Sequence, residues 1–149
     1  MNNPYATYQS NAISALSQED ILLQLLEGAI VRIKQARQLS QEGDKAKARE
    51  KRTSALNIVT ELDSTLDRKN EAQDVVENLE ALYAFMISEI NQSALEDDLE
   101  KLSPVQEVLQ DLYQGFQVAV QEEKHKTVAE KSPPEASSTR GSSAIRARG

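Results

Sequence analysis

The chain has no cysteine, no tryptophan and a single histidine, with five glycines and four prolines among 149 residues. Each scarcity closes a class of function. Without cysteine there is no disulfide and no thiolate metal site, which suits a reducing cytoplasm. With only His125, the chain cannot build the paired Glu-x-x-His motifs of a di-iron or di-manganese bundle. No run of about 18 apolar residues occurs, so no membrane span is expected. Met1-Asn2-Asn3-Pro4-Tyr5 has neither a basic n-region nor an apolar h-region, and a secretory signal is not expected. No glycine-rich phosphate loop is present. Little Gly and Pro beside abundant Ala, Leu, Gln and Glu predicts helix nearly throughout.

The formal net charge is −7, unevenly spread. Residues 132–149 hold three Arg and one Glu, a balance of +2, which leaves −9 on residues 1–131. Such a body repels phosphate backbones, so nucleic acid is not an expected partner. Apolar residues make up 39%, enough for one globular domain with a modest core.

Residues 1–16 read as an arm: Tyr5, Tyr8, Ile13 and Leu16 are apolar enough to lie on a surface, but without a long period. The first helix starts after Ser17, with Asp20 three residues on as a capping-box variant whose carboxylate reaches back to the cap N–H. Leu22, Leu25, Leu26, Ala29, Ile33 and Ala36 mark one face, and Ile21, Ile30 and Val31 widen it until the helix is apolar nearly all round. Gly28 costs about 1 kcal/mol against Ala, and close approach of a neighbouring backbone is the expected reason. Gly43 suits a left-handed helix end and Asp44 the next N-cap.

The second helix is predicted over 45–66. It is charged at first and then carries Ala55, Ile58, Val59, Leu62 and Leu66. Asp67–Asn70 is a break, and Asp67 either holds that turn or caps the helix that follows. The third helix is predicted over 71–91, with Val75, Val76, Leu79, Leu82, Tyr83, Met86 and Ile90 inward. Residues 92–102 are ambiguous. Ser103-Pro104 reads as the start of the last helix, with Val105, Val108, Leu109, Leu112, Tyr113, Phe116 and Val120 inward. From residue 127 the chain reads as a disordered tail, rich in Ser, Pro, Gly and Arg beyond residue 132. The expected architecture is therefore all-α: an antiparallel up-and-down four-helix bundle over 17–126, with an arm over 1–16 and a tail over 127–149.

No catalytic constellation accompanies this frame. His125 lies in Glu122-Glu123-Lys124-His125-Lys126, where a solvated side chain is expected instead of a phosphoacceptor or a catalytic base. Glu96, Asp97, Asp98 and Glu100 lack the spacing of a calcium loop and read as a solvated turn. No enzyme activity, cofactor or metal is expected. What remains is surplus apolar surface, which implies a groove for another helix or self-association.

Five motifs follow one another along the chain: Tyr5-Ala6-Thr7-Tyr8; Ser17-Gln18-Glu19-Asp20-Ile21; Leu25-Leu26-Glu27-Gly28-Ala29; Ser64-Thr65-Leu66-Asp67; and Asn78-Leu79-Glu80-Ala81-Leu82-Tyr83-Ala84-Phe85-Met86. In this order they resemble the flagellar export chaperones of the FliS family, with Gln18 for the usual Pro and the third motif similar to L-Y-D-G-A. The resemblance spans about residues 5–120. Leu26 stands for a Tyr, Asn70 for a frequent Gly, and Phe116 near a common Trp.

The resemblance implies a cytosolic chaperone that binds the disordered C-terminal segment of flagellin, prevents premature polymerisation and delivers it to the flagellar type III export apparatus. It implies an arm that covers the groove until flagellin displaces it. The candidate contact residues are Tyr5, Tyr8, Leu22, Leu25, Leu62, Leu66, Leu79, Leu82, Tyr83 and Met86. Tyr83 and the arm tyrosines read as groove-rim residues, since a rim leaves the hydroxyl wet. Export components and a weak homodimer complete the expected partners. A phosphotransfer bundle using His125 and a self-associating structural bundle are the alternatives.

Overall fold

In the computed structural model the described residues are 17–131; the arm expected over 1–16 and the tail beyond residue 131 lie outside them. Four helices are present and no strand is found among the described residues: α1 (Gln18–Gln41), α2 (Lys45–Ser64), α3 (Gln73–Glu96) and α4 (Leu102–Lys131). A single 3-10 turn, Leu99–Lys101, leads directly into α4.

Each boundary follows from local chemistry. Ser17 caps α1: its Oγ accepts from the Asp20 N–H at 3.1 Å and donates to the Asp20 carboxylate at 2.9 Å. The reciprocal bond thus runs from the cap hydroxyl to the carboxylate. At the other end Gly43 takes φ +88°. The Gly43 N–H bonds Ser40 O at 3.0 Å and the Asp44 N–H bonds Leu39 O at 2.9 Å, a Schellman closure that satisfies two terminal carbonyls. Asp44 then caps α2 by accepting from the Lys47 N–H at 3.2 Å.

The third helix departs from expectation at both ends. It begins at Gln73 with Ala72 at the cap and no side-chain cap bond. It continues to Glu96 and stops where Asp97 turns left-handed at φ 53°. Asp98 caps the 3-10 turn by accepting from the Glu100 N–H at 3.0 Å. The ambiguous stretch 92–102 is thus helix end, turn and helix start. Its three leucines separate accordingly: Leu95 is 82% exposed, Leu99 half-buried and Leu102 fully buried. The last helix runs past residue 126, where the tail was expected to begin.

The core is one cluster drawn from all four helices: Leu26, Ala29, Ile33 and Ala36 of α1; Ala55, Val59 and Leu62 of α2; Leu79, Tyr83, Met86 and Ile90 of α3; Leu102, Val105 and Leu109 of α4. The α1 set recurs at i, i+3, i+7 and i+10, one stripe of a 3.6-residue period. Alanines at 29, 36 and 55 let helix backbones come close, and α1 packs more extensively along α2 than α2 does along α3. One member of the expected α3 stripe is left exposed. Val75 is 40% exposed, because the α3 core stripe starts at Val76. Ser93 joins that stripe instead, its hydroxyl satisfied by donating to Ile90 O at 2.7 Å.

Gly28 shows no backbone contact of the expected kind. The nearest atom to an added Cβ is Ile58 Cδ1 at 3.5 Å, a flexible side chain at ordinary packing distance.

Candidate functional site

The start of α1 and the connection after α2 enclose a cleft of about 400 Å³. α1 lines it with Gln18, Glu19 and the apolar Ile21, Leu22 and Leu25, and the connection after α2 lines it with Thr65, Asp67 and Glu71. Ile21 is exposed and Leu22 and Leu25 are half-buried, packed against the core only on one side. An apolar floor with carboxylates around it suits one face of an amphipathic segment.

Asp67 builds the wall. Its Oδ1 accepts from the backbone N–H of Lys69 at 3.2 Å and of Asn70 at 3.1 Å, and its Oδ2 accepts from Asn70 Nδ2 at 2.9 Å. Of the two roles expected for Asp67 it takes the turn, and leaves α3 uncapped by a side chain. The Asn70 bonds, side chain first, hold the Asp67 carboxyl below its usual pKa. Asn70 therefore has a task that Gly could not perform. Arg68 closes the outer side of the connection, with Nε 2.9 Å from Glu80 and Nη2 3.7 Å from Asp63.

The predicted contact residues divide by burial. Leu22, Leu25, Leu66 and Leu82 are half-buried and within reach of an incoming chain. Leu62, Leu79, Tyr83 and Met86 lie in the core at 8% exposure or less. Tyr83 is therefore no rim residue. Burial pushes its phenol up to about 12, with the Asp63 and Glu71 carboxylates adding to the shift. The long side chain reconciles both demands: the ring fills the core while the hydroxyl end senses carboxylates beside the α2–α3 connection. Tyr5 and Tyr8 lie outside the described residues.

A second apolar surface lies between α1 and α4. Leu23, Ile30, Val31 and Tyr113 line two adjoining depressions of about 390 and 300 Å³, edged by Asp20, Glu27, Lys34, Gln110 and Gln114. None of those four apolar residues stood among the candidates. Their signal was the breadth of the α1 stripe, apolar nearly all round from Ile21 to Ile33. On α3, Val75, Leu82 and Phe85 sit at i, i+7 and i+10, and Phe85 is 41% exposed.

No chemistry competes with these surfaces among the described residues. His125 is exposed. Among the described residues no group of three or more His, Asp or Glu side chains is placed to hold a metal ion. The acidic turn at 96–100 is spent on structure: Asp97 meets Lys45 at 3.3 Å, Glu96 meets Lys101 at 3.7 Å, and Asp98 caps. No helix among the described residues is long and apolar enough to cross a membrane.

Comparison with known proteins places the geometry in context. The family described as "Flagellar protein FliS" matches residues 1–123. The chain is 27% identical over 124 residues to the protein named Flagellar secretion chaperone FliS of Bacillus subtilis (strain 168), covering 83% of this chain and 91% of that one. It is 30% identical over 118 residues to the protein of the same name from Vibrio cholerae serotype O1, covering 79% of this chain and 86% of that one.

Proposed function

Because this chain belongs to the FliS family of flagellar proteins, we propose that it is a flagellar secretion chaperone whose client is the C-terminal segment of flagellin. It binds that segment one to one in the cytoplasm, blocks premature polymerisation and presents an unfolded substrate to the export apparatus. The task is binding, with no reaction.

One observation carries the reading. The first turns of α1 leave Ile21, Leu22 and Leu25 incompletely covered over a cleft, although buried neighbours such as Leu26 and Ile33 are sealed at 0% exposure. A disordered client loses ordering entropy on binding, on the order of 2–5 kcal/mol of its gross interaction. A long contact over several apolar surfaces offsets that cost. The α1–α4 depressions and the Val75, Leu82, Phe85 stripe extend the available surface beyond the first cleft. The flagellin contacts in this reading are Leu22, Leu25, Leu66 and Leu82. Leu62, Leu79, Tyr83 and Met86 shape the grooves from beneath.

The helices run antiparallel, up and down, in the same reading. Two contacts support that course for α1 and α2: a Gly28 Cβ would meet Ile58, and Arg32 Nε donates to Ser54 Oγ at 3.2 Å, so that one number rises as the other falls. The arm with Tyr5 and Tyr8 covers the cleft until flagellin displaces it, since tyrosine rings can leave an apolar surface without stranding a charge.

Calorimetric titration with a flagellin C-terminal peptide of about forty residues tests the proposal. Tight one-to-one binding with a large negative heat-capacity change is expected, and Leu25→Glu should weaken it while the helical spectrum stays intact. No complex with a demonstrably folded chain would sink it.

A further inference from the structure

The acidic body contains one basic island. Residues 45–52 carry Lys45, Lys47, Arg49, Lys51 and Arg52 against the single carboxylate of Glu50. Two of these cations are committed. Lys45 pairs with Asp97 at 3.3 Å, and Arg52 is buried, its pKa lowered by that burial against the opposing pull of Asp97. Lys47 and Lys51 instead line a groove of about 520 Å³ with Lys34, Gln35, Gln38 and Leu39 of α1.

The groove combines hydrocarbon and positive charge. Leu39 is half-buried in its wall, and the lysine stems add methylene surface below their ammonium groups. The carboxylates nearby leave most of the charge unspent. Asp44 reaches Lys47 only at 3.9 Å while capping α2. Glu42 accepts from Gln38 at 2.7 Å, and no ion pair joins Glu50 to the groove. Among the described residues neither Lys34 nor Lys51 meets a carboxylate within ion-pair distance. A basic face is ordinarily just solvated. Here the lysines surround a depression with an aliphatic wall, and only Lys47 of the three has a counter-ion, at 3.9 Å.

The geometry points to a docking site for an acidic amphipathic segment of a second protein, separate from the cleft proposed for flagellin. Its apolar residues would cover Leu39 and the lysine stems, and its Asp and Glu side chains would reach Lys34, Lys47 and Lys51. Lysine suits this use, because its flexible stem lets a point charge follow carboxylates spread along a helix. The surrounding charge selects a short protein segment over extended polyanions. A nucleic acid or an anionic membrane reaches beyond the island and meets an acidic body, whereas a peptide the size of the groove does not. The site occupies the Lys34–Leu39 part of α1 and the first flagellin cleft the Gln18–Leu25 part; these two share no residue, and Lys34 alone also edges an α1–α4 depression.

The test uses the full chain and two labelled helical peptides of one pattern, Leu at helical spacing with either Glu and Asp or Lys and Arg between. Fluorescence anisotropy should show the acidic peptide binding and weakening as salt rises. Lys34→Glu with Lys51→Glu should weaken it at least about tenfold and let the basic peptide bind instead. Lys34→Gln with Lys51→Gln, a milder pair, should give an intermediate loss if the charge reversal disturbs folding. Binding of the acidic peptide should persist with the flagellin peptide present. Equal binding to wild type and both variants, or no binding at all, would overturn the site. So would phosphatidylglycerol vesicles or an oligonucleotide bound as tightly and with the same loss in the variants, which would make the island a general anion surface.

Discussion

The two connections that join α1 to α2 and α2 to α3 solve one problem by different means. Between α1 and α2 the chain turns on backbone geometry: Gly43 at φ +88° and two carbonyl bonds close the helix, and nothing about that closure titrates. Between α2 and α3 no residue takes a positive φ, and the turn hangs on one carboxylate, Asp67, with three donors aimed at it. The first connection is a plain joint. The second also forms a wall of the apolar cleft. Its dependence on side-chain chemistry ties the shape of that wall to composition and to pH.

The largest effect should come from breaking the backbone joint. Gly43→Val forces a β-branched residue into the left-handed region and should cost about 2 kcal/mol in urea unfolding, at every pH where the protein folds. Binding of the flagellin peptide should be unchanged at temperatures where the variant remains folded, since the cleft lies elsewhere. A loss of affinity would tie the two ends of α1 together in a way the separate contacts do not suggest.

Asp67→Ala attacks the other joint and should destabilise less, because the orphaned N–H groups are exposed and water replaces the carboxylate. The sign of its pH dependence follows from the lowered pKa of Asp67. The folded state holds the ionised form more strongly than the unfolded state does. The contribution is therefore fully present above the ordinary aspartate pKa, near 4, and fades as pH falls through the lower folded value. The difference between wild type and variant should be largest at neutral pH and vanish in acid. Unlike Gly43→Val, this variant should weaken the flagellin peptide, since the cleft wall moves. A constant difference across pH would show that the turn does not depend on the charge. Asn70→Gly is the milder form of the same experiment. With no positive φ to relieve and a 2.9 Å bond to lose, it should cost about 0.5 kcal/mol.

These joints also mark how far the residues alone could be read. Ser17, Gly43 and Asp44 act through atoms three or four positions away, so their roles were visible without tertiary structure. The i, i+3, i+4 stripes located Leu26, Ile33, Val59 and Met86 in the core for the same reason. The stretch 92–102 resisted because Leu95, Leu99 and Leu102 imitate a helical stripe, and only the left-handed Asp97 shows that the period is interrupted. Within the candidate site, Leu22 and Leu25 belong by period to the same α1 face as Leu26 and Ile33, and the resemblance, not the period, made them contact candidates. Tyr83 was not, because the choice between rim and core depends on where its hydroxyl end emerges. Tyr113 reads by period as one more apolar residue of the last helix, and its place in a depression with Ile30 and Val31 depends on tertiary packing.

Gly28 sharpens the contrast between glycines from the opposite side. Gly43 is required by its backbone, whereas Gly28 sits inside α1 without a positive φ and with Ile58 Cδ1 as the nearest obstacle at 3.5 Å. A methyl group there enters ordinary contact, and the isoleucine end can yield. Removing the conformational freedom that glycine has in the unfolded chain then dominates, and Gly28→Ala should raise stability by about 0.5–1 kcal/mol. Thermal unfolding measures it. A rise in Tm with unchanged peptide binding would make Gly28 dispensable to both packing and recognition. A rise with weakened binding would mean that the missing side chain serves the client, whose backbone must then pass over α1 at this point.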